Sequence, residues 1–227
     1  KGPDAGKFMD MLYTNMMSTL KPGRCRYGLM CNENGFLMDD GVVARLDEDT
    51  FLCHTTTGGA DNIHGHMEEW LQTEWWDWQV YTANVTEQFA QVGVVGPKSR
   101  KVLQKLTDDD ISNDALSFMG WTDITLTGDI PARVFRISFA GELSFELAVP
   151  ASHGRALWDM LMQAGAEFGV TPYGTEAMHV MRAEKGFIMI GDETDGTVIP
   201  QDLGMDWAIS KKKEDYLGKR AQQRSHM

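Results

Sequence analysis

Cysteine is scarce in this chain. Cys25, Cys31 and Cys53 are three among 227 residues, and no CxxC pair occurs. That excludes a disulfide framework and a paired-thiolate zinc site, and it suits a reduced, cytoplasmic compartment. Positive charge is short as well: 21 Lys and Arg against 33 Asp and Glu leave a formal charge of −12. Broad binding to nucleic acid or to an anionic membrane needs clustered Lys and Arg. The one basic run, Lys211-Lys212-Lys213, is followed at once by Glu214 and Asp215. No apolar run approaches the roughly 20 residues that span a bilayer. The first twenty residues hold neither an apolar signal segment nor a small-residue cleavage site. What is plentiful is core material, 42% hydrophobic with 24% charged, so disordered and collagen-like readings are excluded too.

The common chemical signatures are also missing. There is no HExxH, GxSxG or GxGxxG, and the six histidines His54, His64, His66, His153, His179 and His226 have no ligand-like spacing. Gly93-Val94-Val95-Gly96-Pro97-Lys98-Ser99 fails as a phosphate loop because Pro97 separates the glycine from the lysine. It reads as strand, turn and helix start. Gly58-Gly59 offers free N–H groups to an anion or, more commonly, a tight turn.

An internal repeat organises the chain. Gly2-Pro3 with Lys7, Phe8, Met9 and Leu12 aligns with Gly96-Pro97 and Lys101, Val102, Leu103 and Leu106. Each copy starts a helix at proline, where a missing N–H costs nothing, and continues with apolar residues on one face. After the first helix come strands over 24–32, 36–46 and 51–55, the first two joined by an Asn-Gly turn, then a helix over 60–76. After the second come strands near 123–127, 132–138 and 143–149, then a helix from Ser152. Helix, three strands, helix, twice over, predicts an α+β fold of two antiparallel-sheet lobes, residues 1–86 and 87–210, with 211–227 as a linker. The second copy is preceded by a strand, Phe89–Val95, and the first by Lys1 alone. The expectation is therefore an excised fragment whose first lobe lacks its opening strand and shows an exposed sheet edge.

Two carboxylate settings and one arginine stand out. Glu142, Ser144 and Glu146 alternate with Leu143, Phe145 and Leu147, which puts both glutamates on the face away from the core. A solvated face is the commoner meaning of such a pattern. Asp39-Asp40 interrupt an apolar strand, so one of them is expected to line a pocket, and alternation turns the other away. Arg182 lies in the mostly apolar helix Met178–Lys185, where an arginine either pairs with a carboxylate or stands at the surface.

The segments YGLMCNENGFLMDDGVVARL, VVGPKSRKVLQKL, RISFAGELSFELAVP and MHVMRAEKGFIMIGDETDGTVIPQDLGMDW together resemble the folate-dependent aminomethyltransferase family. That family includes the glycine cleavage T-protein and related domains of sarcosine oxidase and dimethylglycine dehydrogenase. GFLMDDG, TPYGTEAMHVMRAEKG and DGTVIPQDLGMDW are most similar to the sarcosine oxidase alpha-subunit branch. The resemblance implies two lobes and a C-terminal barrel around a central folate tunnel, the barrel being absent from this chain. It implies Asp39 as the catalytic aspartate, with Glu146 reading the pterin edge and Arg182, Tyr27 and Phe139 in the folate pocket. Phe139 stands where the family has the tyrosine of its GYTGE stretch, and Met178 where the T-protein helix has an arginine. Both changes suit a sarcosine-oxidase role better than a lipoyl-carrier role.

The implied activity is that of an enzyme part. Oxidised sarcosine yields a formaldehyde-equivalent iminium, which tetrahydrofolate accepts as 5,10-methylenetetrahydrofolate. FAD, FMN and NAD belong only to the complete complex, and the fragment alone is expected to be inactive in oxidation. Reduced folate and the other oxidase subunits are the implied partners. The rival readings are a glycine-cleavage aminomethyltransferase and a non-catalytic folate-binding relative with a structural or regulatory role.

Overall fold

The computed structural model describes residues 1–224; His226 lies outside them. The chain divides into two compact units, Lys1–Asn84 with the segment from Met189 onward, and Val85–Ile188. No helix among the described residues is long and apolar enough to cross a membrane.

In the first unit, α1 (Ala5–Leu12) buries Phe8, Met9 and Leu12, and α2 (Ala60–Thr73) buries Ile63, Met67 and Leu71. Both stripes recur at helical spacing, which is why these segments coil and pack. Between them lie β1 (Cys25–Cys31), β2 (Leu37–Asp47) and β3 (Thr50–Cys53), an antiparallel sheet in that order. The β1–β2 turn is held by the Asn32 carboxamide oxygen, which accepts from the N–H groups of Asn34 (3.0 Å) and Phe36 (3.1 Å). Gly35 takes the left-handed conformation there, with φ +87°. Trp75, expected on α2, lies just past its end and stacks between Trp70 and Trp78, with centroids 5.4 and 4.9 Å away.

The second unit holds β4 (Phe89–Val95), α3 (Ser99–Leu103), β5 (Trp121–Leu126), β6 (Ile130–Phe135), β7 (Ser144–Pro150), α4 (Gly154–Gly165) and α5 (Thr175–Glu184). Its antiparallel sheet runs β4-β7-β6-β5 over a core that includes Val94, Leu103, Val134, Phe145, Leu147 and Leu157. The expected α+β architecture is present, and the repeat is visible in it. The run α1-β1-β2-β3-α2 corresponds to α3-β5-β6-β7-α4. β7 is covered by β4, whereas its counterpart β3 is an edge strand among the described residues.

The boundaries differ from the expected 86/87 and 210/211. The break falls after Asn84, and the segment from Met189 returns to the first unit. There Leu217 joins the core of α1 and α2, and Tyr216 and Ala221, the latter in α6 (Lys219–Gln222), are buried. Lys213, expected in a linker, donates from Nζ to the carbonyls of Tyr13 and Asn15, the latter at 2.7 Å. These oxygens follow the end of α1, where backbone acceptors have no helical partner and a cation is favoured. Leu37 N–H donates to Val198 O at 2.8 Å, and Ser210 N–H to Thr14 O at 3.0 Å. None of these bonds has a local period, so the pattern of the sequence does not announce them. Leu217→Ala should lower the unfolding free energy by about 2–5 kcal/mol, the usual loss for a buried leucine. Urea unfolding would measure it, and a change near zero would return 211–224 to the status of a linker.

Candidate ligand-binding site

Each unit carries a carboxylate group of its own. In the first, β1 and β2 present Gly28 and Gly41 directly opposite one another. A Cβ on Gly28 would strike Tyr13, Asn15 and Met17, and one on Gly41 would lie 1.8 Å from the His54 carbonyl oxygen. The bare backbone therefore lets the chain after β3 lie against the sheet. This brings Thr56 to Asp39, which shares the face of Gly41. Asp39 is 2% exposed and accepts from Thr56 Oγ1 at 2.7 Å, Thr56 N–H at 3.2 Å and Asp40 N–H at 2.9 Å. Burial pushes its carboxyl above the usual range, against the pull of those bonds.

Asp40 faces the other way. Register places it with Leu29, diagonal to Tyr27, whose hydroxyl donates to Asp40 Oδ2 at 2.6 Å. Trp207, on the turn Asp206–Ala208 of the returning segment, stacks on Tyr27 with centroids 5.8 Å apart and planes at 25°. Asp40 is half-buried, and its carboxyl is pushed up to about 6. Desolvation is the first cause and the charge of Asp39 adds to it, while the Tyr27 bond opposes both. Asp40 is thus a raised carboxyl held by a phenol and bordered by an exposed indole.

In the second unit, Glu146 on β7 lies opposite Gly93 of β4. Gln91, two residues before Gly93 and on the same face, donates from Nε2 to Glu146 Oε2. With no side chain at Gly93, the space beside Glu146 stays open up to the Tyr173 hydroxyl, 3.8 Å from where a Cβ would be. Burial pushes Glu146 up to about 7, against the Gln91 bond. Tyr173 is raised by burial and then by the Glu146 charge. Glu142, expected on the same strand face, precedes β7 and is exposed. Arg182 is 5% exposed on α5 and donates from Nη1 to Phe187 O at 3.1 Å. Phe139 is half-buried in the loop between β6 and β7.

The structure therefore joins Tyr27 to Asp40 and gives Asp39 to Thr56. Glu146 stands with Gln91 and Tyr173, and Arg182 and Phe139 lie in the same unit. Thr56, Trp207, Gln91 and Tyr173 are absent from the sequence reading. The Tyr27–Asp40 diagonal was hidden as well: counting back from the Asn32–Gly35 turn would set Tyr27 opposite Gly41 and diagonal to Asp39, and the register shift between Met30 and Cys31 moves it to Asp40.

Residues 1–213 match the family model described as the GCVT N-terminal domain. The chain belongs to this family. Sarcosine oxidase subunit alpha of Corynebacterium sp. strain U-96 is 56% identical over 222 residues, covering 97% of this chain and 23% of that protein. The aminomethyltransferase of Corynebacterium aurimucosum is 31% identical over 220 residues, 96% of this chain and 58% of that enzyme. The chain thus spans about a quarter of the first relative and little over half of the second. The crystal structure of the glycine cleavage system aminomethyltransferase T from Bartonella henselae superposes with a TM-score of 0.82 at 24% identity, over 97% of this chain and 58% of that one. At that identity the likeness shows the GCVT fold alone.

Proposed function

We propose that this GCVT domain is the tetrahydrofolate-binding, one-carbon-accepting region of a sarcosine oxidase alpha subunit acting in the cytoplasm. The observation that carries the reading is a pair of half-buried carboxylates raised toward neutrality, Asp40 to about 6 and Glu146 to about 7, each with one neutral hydrogen-bond donor. Carboxylates tuned in this way serve proton transfer and recognition of paired N–H donors. The 56% identity to a sarcosine oxidase subunit alpha supports the choice of complex.

The residues fit a reduced pterin. The edge of that ring offers adjacent N–H donors, and Glu146 has acceptor capacity beyond the Gln91 bond, with Gly93 leaving the approach open. Bound tetrahydrofolate would supply the nitrogens that take up the one-carbon unit, giving 5,10-methylenetetrahydrofolate. Within the first unit, Asp40 is suited to receive the proton released from an attacking amine, and its charge to favour a cationic one-carbon donor. Tyr27 would hold Asp40 in place through the 2.6 Å bond, and Trp207 would hold Tyr27. Asp39, expected from the resemblance as the catalytic aspartate, would then act as a positioning residue that fixes the Thr56 turn beneath Asp40. Arg182 and Phe139 would shape the second unit around the ligand. We assign the flavin and nucleotide chemistry to the rest of the alpha subunit and to its partner subunits.

The test uses the full-length protein with its partner subunits, turning over sarcosine with and without tetrahydrofolate. The one-carbon unit should be recovered as 5,10-methylenetetrahydrofolate when folate is present and as formaldehyde when it is not. Equal formaldehyde in both arms would overturn the reading.

A further inference from the structure

Apart from the two carboxylate groups, the first unit has a cleft of about 340 Å³ beside α2, lined among others by Glu68, Leu71, Trp76, Trp78, Tyr81 and Thr82. We propose that this cleft binds a small alkylammonium cation, with Glu68 as its counter-charge and the rings of Trp76 and Tyr81 as its walls. The proposal is independent of the folate reading.

Its first support is the pairing of exposed aromatics with a fixed acid. Trp76 and Tyr81 are 76% and 72% exposed, among the most exposed large hydrophobic residues of the chain. Both border the same cleft as Glu68. The carboxylate is held on both oxygens: the Thr82 hydroxyl donates to Oε1, and Gln72 Nε2 donates to Oε2 at 3.1 Å. Thr82 is held in turn by His64 Nε2, 3.0 Å from its oxygen. Those bonds keep Glu68 below the usual carboxylate range, so it stays charged. Each of its oxygens retains acceptor capacity; His64 Nε2 is its ion-pair neighbour, 3.9 Å from Oε1, and no lysine or arginine is paired with it among the ion pairs of the described residues.

The second support is that this aromatic cluster already holds one ammonium. Lys7 Nζ lies 3.8 Å from the centroid of the Trp78 ring, whose other neighbour is Trp75, stacked at 4.9 Å and 11°. Trp78 is therefore occupied, and the rings left for a ligand are Trp76 and Tyr81. An aromatic face attracts a cation through its quadrupole, most strongly when the charge is weakly hydrated, as methyl groups make it. An anion would meet Glu68 and a chain of formal charge −12. The volume lies at the small end of ligand clefts and is enough for choline.

The experiment titrates this chain with tetramethylammonium, choline and 3,3-dimethylbutan-1-ol, the uncharged isostere of choline, following tryptophan fluorescence and calorimetric heat. Choline and tetramethylammonium should saturate, and the alcohol should bind at least about tenfold more weakly. Glu68→Gln keeps an oxygen for Thr82, and Trp76→Ala removes a side chain at the surface, so both should keep the wild-type melting temperature. Each should weaken choline about tenfold, whereas Trp158→Ala, on α4 of the other unit, should leave it unchanged. Equal binding of choline and its isostere, no saturable binding of either cation, or indifference to both cleft variants would overturn the proposal.

Discussion

Asp40→Asn should abolish the folate product and leave the chain more stable. Asn can still accept the Tyr27 hydroxyl, so the site should keep its shape, and what it loses is a proton acceptor. In the full-length protein with its partner subunits, 5,10-methylenetetrahydrofolate should fall by at least about 100-fold, the usual weight of a general base. Free formaldehyde should rise to replace it, and folate affinity should change by less than about tenfold, or 1.4 kcal/mol. The stability effect follows from the raised carboxyl, which binds its proton more tightly in the folded chain than in the unfolded one. That contribution is present below the ordinary 3.8 and lost as the pH rises through about 6. The asparagine variant escapes the loss, so above pH 6 it should gain about 1–2 kcal/mol, allowing for partial exposure. Asp39→Asn should not share that gain: its carboxyl is raised by burial too, but the gain is offset by the bonds its oxygens accept from Thr56 and Asp40. One oxygen would still serve Thr56 Oγ1 and Asp40 N–H, while an amide N–H would confront the Thr56 N–H, costing about 1–3 kcal/mol. If a well-folded Asp39→Asn loses the folate product and Asp40→Asn keeps it, Asp39 is the C1-transfer carboxylate, as the family resemblance implies.

The two aspartates also show how far the sequence could be read. The hairpin, both strands and the opposed directions of Asp39 and Asp40 follow from the Asn-Gly turn and from strand alternation. Alternation defines two faces without naming the inner one. Counting along β2 also breaks at Met38, where the register slips between Met30 and Cys31, so that Leu37 and Asp39 point to opposite sides. Asp39 thereby falls on the side of Met30 and Val43, which belong to the core of α1 and α2. One sign of this was present in β1, where Leu29, Met30 and Cys31 run consecutively apolar and are all buried. Such a run marks a strand covered on both faces. The second cover is the segment after Met189, which bonds Leu37 through Val198 and Cys31 through Gln222, and brings Trp207 onto Tyr27. Contacts between residues so far apart in sequence have no local signature, so Trp207 and Lys213 gave no hint of their places. Tyr173 was hidden for a related reason, since its neighbour is a glycine some 80 residues away and an absent side chain leaves no pattern.

Glu146→Gln joins the same two readouts in the second unit. Glutamine retains one acceptor for Gln91 and cannot present two ionised oxygens to a pair of pterin N–H donors. Calorimetry should find tetrahydrofolate bound about 1.5–3 kcal/mol more weakly, the usual worth of a hydrogen bond to a charged group. The carboxyl raised to about 7 contributes stability below its ordinary 4.5 that is lost as the pH rises through 7. Urea unfolding should therefore show wild type and variant alike at low pH, with the variant ahead by about 1–3 kcal/mol at pH 8 once partial exposure is allowed for. A residue whose removal strengthens the fold and weakens the ligand is held in place by function, because stability alone would have replaced it. The bland reading of this glutamate, a solvated sheet face tied to Gln91, requires the opposite pair of results. Under it, folate affinity would be the same in both proteins and the variant would be no more stable at pH 8.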